Sequence, residues 1–200
     1  AASMETVNDL HGDLINLARC LRDEETAVDL YGRLARTLMH QTIFEESRAA
    51  CQEYKRLPAP EQPDVDRAEH FMICSWIGRN GVAGTATYNN GYCVRYTKNG
   101  GHAGTRWVSA VESIPAWHQR LRRVTMLNLD GFDVLERVED AAGVAIYVDP
   151  PYLEKSADYI HDFAGEDHAR LADLLARFRK TRVIVSYYDD PRLAELYPPD

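Results

Sequence analysis

The sequence predicts an α/β fold in which a partly parallel sheet is interrupted by a largely helical insertion. Three observations predict it. The last third alternates short apolar runs with amphipathic stretches, the order strand, helix, strand, helix that βαβ units produce. Three strand-like runs each stop at a carboxylate: Asp9, Asp130 and Asp149. The middle of the chain, about residues 30–123, is mostly helix and loop. A length of 200 residues suits one sizeable domain, or a domain with an insertion.

The elements follow in order. "METVND" reads as a strand ending at Asp9. "HGDLINLARCLRD" sets Leu14, Leu17, Ala18 and Leu21 on one helical face. Helices are expected over residues 24–39 and 43–56. "LPAPEQPDVD", with three prolines, is a connector. "VDRAEHFMICSWIG" is a helix with Phe71, Cys74 and Trp76 largely buried. Residues 78–106, dense in Gly, Asn and Thr, read as a long irregular segment with a hairpin around "NNGYCVRY". Loops of that length are functional or disordered. Pro115 opens the helix "PAWHQRLRR". "VTMLNLDGFDVLERV" is strand, turn, helix. "VAIYVD" and "RVIVSYY" read as strands buried on both faces, as in a parallel sheet. "DHARLADLLARF" is the amphipathic helix between them, and "PRLAELY" a short closing helix.

Composition narrows the class. No apolar run approaches the length of a membrane span, and no secretory signal opens the chain. Cys20, Cys51, Cys74 and Cys93 form no C-x-x-C pair, so no metal is expected, and the thiols read as reduced in a cytoplasmic protein. The chain opens directly on a strand and stops at "LYPPD", which reads as part of a longer protein. The net charge is −8, yet residues 70–123 hold Arg79, Arg95, Lys98, Arg106, Arg120, Arg122 and Arg123 against Glu112 alone. That segment is +6, leaving −14 on the remainder. A basic zone on an acidic body can attract phosphates; a solvated loop of arbitrary charge reads the same way.

The chemistry concentrates at "AIYVDPPY". Ligands of open α/β sheets bind at the carboxyl ends of strands. Taken singly, Asp9 and Asp130 read as helix N-caps. Asp149 differs through its neighbours. Pro150 and Pro151 stiffen the arm and restrict the residue before them. Their carbonyls remain acceptors, and Tyr152 adds a planar face. Two acceptors and a stacking platform suit a flat heterocycle with an exocyclic amino group.

On these residues the sequence resembles the amino-group methyltransferases that use S-adenosylmethionine, and among them the Dam-type DNA adenine methyltransferases of bacteria and phages. "VNDLHGDLINLARCLRD" looks like the motif whose aspartate, here Asp9, holds the cofactor ribose. "VTMLNLDGFDVL" looks like the segment whose Asp130 and Phe132 flank the cofactor adenine. The tail from "SADYIHDF" onward is similar too. The resemblance implies a Rossmann-like S-adenosylmethionine-dependent methyltransferase core at 1–29 and 124–200, incomplete at the N-terminus. It implies a DNA target-recognition insertion at 30–123. The family's glycine-rich loop is not in this sequence, so either the full protein is longer or this chain binds cofactor poorly.

The resemblance also implies direct methyl transfer to an adenine flipped out of double-stranded DNA. Asp149, Pro150, Pro151 and Tyr152 are the catalytic set, and Asp149 also faces the cofactor. Arg79, Asn80, Arg95, Lys98 and Arg106 are the DNA-contacting candidates, since arginine reads guanine and asparagine reads adenine; phosphate contact without sequence reading is the alternative. A monomer is expected, with a cognate restriction endonuclease among the partners. Rival readings are an amino-group methyltransferase acting on cytosine, RNA or protein, and a cofactor-binding-deficient remnant that only binds DNA.

Overall fold

Strand β1, Glu5–Asn8, pairs in parallel with β2, Val124–Leu127, in the register Glu5↔Val124 through Asn8↔Leu127. Between them the described residues are mostly helix and connector in the computed structural model, which describes residues 4–78, 91–94, 102–153 and 163–198. Two compact units result, Ala1–Asn128 and Leu129–Asp200.

In the first unit the helices are α1 (Gly12–Arg22), α2 (Glu24–Arg36), α3 (Gln41–Tyr54), α4 (Val65–Ile77), α5 (Ala103–Glu112) and α6 (Ile114–Leu121). Local chemistry starts the first four. Asp23 and Asp64 accept the N–H groups of Thr26 and Arg67 at 3.0 and 2.9 Å, satisfying amides that a helix start leaves free. His11 and His40 do the same through Nδ1. Helix α4 is the centre of the unit and packs on α1, α2, α3 and α5. It buries Phe71, Met72, Ile73 and Ile77 beside Leu30, Leu34, Phe44 and Trp107.

The proline-rich connector is tied down by buried polar groups. Asn16 donates to Asp64 O at 2.8 Å and accepts from Asp64 N at 2.9 Å. Buried Arg67 pairs with buried Asp13 and donates to Pro58 O and Tyr54 O at 2.8 and 3.1 Å. A Cβ on Gly12 would lie 2.8 Å from Ala59 Cβ, so only glycine lets the connector pass this close.

Two expectations change here. Helix α5 begins inside the segment expected to be irregular. Trp107, Ala110 and Val111 recur on one face and are buried, and that packing outweighs the glycines before them. Trp76, expected in the core, is 38% exposed and tilts against Trp117 at 6.3 Å. It sits on the outer side of α4, whose inner side Phe71 and Cys74 already fill.

The second unit holds α7 (Gly131–Arg137), β3 (Ala145–Val148), α8 (Gly165–Leu175), β4 (Arg182–Val185) and α9 (Leu193–Leu196). Strands β3 and β4 pair in parallel, Ala145↔Arg182 through Val148↔Val185, with α8 as the crossover. Ile146, Val148, Val183 and Val185 pack on Phe132, Leu135, Leu171, Leu175 and Phe178. The expectation of burial on both faces does not hold. Tyr147 and Ile184 point the other way and are 67% and 61% exposed. Strand neighbours alternate sides, and the helices that pack here cover one side only.

Asp140 joins the approaches to both strands, accepting the N–H groups of Arg179, Lys180 and Thr181 at 3.0, 2.8 and 2.8 Å. These bonds, that of Arg179 foremost, hold its carboxyl at about 2. Gly143 makes the turn into β3 at φ +90°, a conformation that a Cβ disfavours. Among the described residues no helix is long and apolar enough to cross a membrane.

Candidate functional site

The parallel register carries β3 and β4 to the same end. Ser186 N donates to Val148 O at 3.0 Å, so the residues that follow both strands emerge side by side. After β3 these are Asp149, Pro150, Pro151 and Tyr152; after β4 they are Ser186, Tyr187 and Tyr188. Pro150 is buried and anchors the arm, whereas Asp149 is exposed.

The Asp149 carboxylate is held at one oxygen. Ser186 Oγ donates to Oδ1 at 2.5 Å, and Tyr152 OH reaches the same atom at 3.4 Å. Tyr147 OH donates in turn to Ser186 Oγ at 3.2 Å. The Asp149 charge pushes the Tyr152 phenol above its ordinary pKa. The Tyr152 ring lies edge-on to Tyr188, centroids 4.4 Å apart, and Tyr188 is 67% exposed. Beside them Tyr152, Leu153, Tyr188, Asp189 and Asp190 line an open concavity of about 20 Å³. That is room for about one water molecule.

A half-buried polar pair adjoins the aromatic strip. His168, in the first turn of α8, is 3% exposed, and its Nδ1 lies 2.9 Å from Tyr187 OH. Burial pushes the imidazole down and the Tyr187 phenol up, so both are neutral at pH 7. Phe163 meets His168 edge-on at 4.7 Å.

The other expected cofactor residues occupy strand ends as read. Asp9 follows β1, and its Oδ1 accepts from His11 N at 2.7 Å. Asp130 caps α7, its Oδ1 accepting from Phe132 N at 2.8 Å. Asp130 thus makes the helix-cap bond that the sequence suggested, whereas α1 is capped by His11 and Asp9 holds the turn before it. Phe132 is 8% exposed, stacks parallel to Phe163 at 6.0 Å, and has the Arg170 guanidinium 4.0 Å over its ring. Of the DNA-contacting candidates, Arg106 is exposed on α5. Arg79, Asn80, Arg95 and Lys98 lie outside the described residues, as does most of the expected hairpin. Within that stretch, Gly78 and Tyr92 form an isolated antiparallel bridge.

Sequence reading passed over Ser186, Tyr187 and Tyr188. A signal existed: laying "AIYVD" against "RVIVS" as parallel neighbours sets Ser186 opposite Asp149.

A family model described as D12 class N6 adenine-specific DNA methyltransferase matches residues 2–198. No curated protein matches the chain.

Proposed function

Because this chain belongs to the D12 class N6 adenine-specific DNA methyltransferase family, we propose that Asp149 and the carbonyl of Pro150 grip the amine of an adenine flipped out of DNA. Methylation of the adenine amino group in DNA is the family's reaction, and it calls for a methyl donor. The roles below are our reading of how this chain performs it.

The adenine amine is a poor nucleophile because its lone pair is delocalised into the ring. Asp149 and Pro150 O accept its two hydrogens and draw them out of the ring plane, which localises the lone pair on nitrogen. The gain comes from alignment and from charge set in place beforehand. Pro150 and Pro151 keep the two acceptors rigid. Tyr152 stacks on the base. Tyr188, its edge-on neighbour, has to swing aside for this, because the present concavity is far smaller than a purine. Its exposure leaves it free to do so.

S-adenosylmethionine fits as the donor, supplying an electrophilic methyl on a sulfonium when bound. The donor chemistry of the chain is compatible with it. Among the described residues Asp9 engages one carboxylate oxygen in a turn and Asp130 one in a helix cap, each keeping the other as an acceptor. Asp9 serves the ribose, Asp130 and Phe132 serve the adenine ring, and Asp149 also meets the donor's ammonium. Residues 1–29 and 124–200 are assigned to a Rossmann-like catalytic core, and 30–123 to the recognition region. The pairing of β1 with β2 across that region supports this division. Arg79, Asn80, Arg95, Lys98 and Arg106 approach the DNA.

The observation that carries the reading is an exposed carboxylate at a strand end, clamped at one oxygen, next to an aromatic ring. In the intact protein, Asp149→Ala should abolish transfer of labelled methyl groups to adenine-containing duplexes while duplex binding stays within about twofold. Undiminished transfer rejects the assignment. Binding without transfer by the unaltered protein would leave only a DNA-binding module.

A further inference from the structure

We propose that Ser186 is a positioning residue for Asp149, fixing which carboxylate oxygen meets the substrate; the inference rests on the role assigned to Asp149 above. Ser186 follows β4 directly, and its backbone is pinned by the bond from its N–H to Val148 O at 3.0 Å. Its hydroxyl has one proton and two acceptors in range. Asp149 Oδ1 at 2.5 Å takes it, and Val148 O at 3.3 Å is the distant second. A hydroxyl-to-carboxylate bond of this length belongs to the strong, charge-assisted kind. Tyr147 OH, donating to Ser186 Oγ at 3.2 Å, fills an acceptor site and turns the serine proton toward Asp149.

Among the described residues, the hydrogen bonds to the carboxylate fall on Oδ1, from Ser186 and from Tyr152. Oδ2 is therefore the oxygen left to accept the amine proton. A carboxylate anchored at one atom by a donor that is itself anchored cannot spin about its side-chain bonds. Without Ser186 the remaining Tyr152 contact, at 3.4 Å, is too long to hold it. The acceptor is then misplaced on the scale of an ångström, which costs on the order of 100-fold in rate for an aligned reaction. Binding of the duplex rests mainly on other groups, whereas the donor's ammonium also meets Asp149.

The test compares Ser186→Ala, Ser186→Thr and Asp149→Ala in the intact protein, by steady-state transfer of labelled methyl groups to duplex DNA. For Ser186→Ala, kcat falls about 10- to 100-fold, with KM for duplex within about twofold. Ser186→Thr keeps the hydroxyl and stays within about threefold of the unaltered kcat. A Ser186→Ala kcat within twofold of normal overturns the proposal, as does a rise in KM in place of the fall in kcat. So does a threonine variant that falls as far as the alanine one, because that outcome marks a packing defect. Loss of activity in Asp149→Ala with Ser186→Ala unimpaired sinks the positioning role alone; full activity in Asp149→Ala sinks the parent reading too. Should the alanine variant fail to fold by circular dichroism, Ser186→Cys, similar in size and a weaker donor, is read against the same thresholds.

Discussion

At the scale of single residues, carboxylates do most of the work, and the donors that reach them, near or far in sequence, set their behaviour. Asp140 shows how. Its carboxyl titrates at about 2 in the folded chain, below the ordinary carboxylate value near 4. A depressed value means that the charged form is the one folding favours. The stabilisation is therefore complete at neutral pH and drains away as pH falls from about 4 through about 2. Urea midpoints measured between pH 5 and pH 2 should drop across that window, and Asp140→Asn should flatten the drop while lowering the midpoint at pH 5. An unchanged acid limb in the variant would assign the loss to other groups, Asp190 first, since Arg192 holds it at about 2 as well. Buried Arg67 and Asp13 follow a different rule. Removing one partner strands a charge, so Arg67→Met should destabilise the protein by about 3–5 kcal/mol, read from denaturant unfolding.

At the scale of elements, α5 carries the sharpest expectation. Trp107 is 4% exposed, and its indole N–H donates to Thr37 O at 3.2 Å, joining α5 to the residue that ends α2. Trp107→Ala should cost about 3–5 kcal/mol, and Trp107→Phe less, since the ring still fills most of the space. This helix was also the one that sequence reading did not separate from a loop. Gly101 and Gly104 with the preceding glycines and asparagines argued for irregularity, while the pattern from Trp107 to Ile114 spans only two turns. Helices α1 to α4 were legible because their apolar stripes ran for three turns or more and began at Asp or His caps. The strand ends at Asp9, Asp130 and Asp149 were legible for a related reason: an apolar run stopping at a carboxylate marks a boundary whichever role the carboxylate plays. Partners across strands were not legible. Ser186 matters through the register of β4 on β3, a non-local property that no short window contains.

At the scale of the whole molecule, charge is distributed against the net value. The proposed DNA-contacting residues lie in the +6 stretch, residues 70–123, of a chain at −8 overall. Duplex affinity should fall steeply with salt. The slope of log affinity against log salt should be no steeper than about −6, the limit if every lysine and arginine of that stretch met a phosphate. Arg120 is already paired with Glu5 at 2.6 Å, which lowers the limit further. Arg106→Gln should reduce the slope by about one if Arg106 meets a phosphate, as titrations at several salt concentrations would show. A slope unchanged in that variant would remove Arg106 from the interface.

The pairing of β1 with β2 has a consequence for how the chain is made. Glu5 meets Val124, 119 positions later. On a ribosome adding about 5–20 residues per second, the first strand emerges and then waits about 6–24 seconds for its neighbour to be synthesised. During that interval its amide edge is open to any other nascent strand. The helices α1 to α4, built from local contacts, are the parts able to form meanwhile. Their early docking would shorten the gap that the two strand ends must close and shield the waiting edge from aggregation.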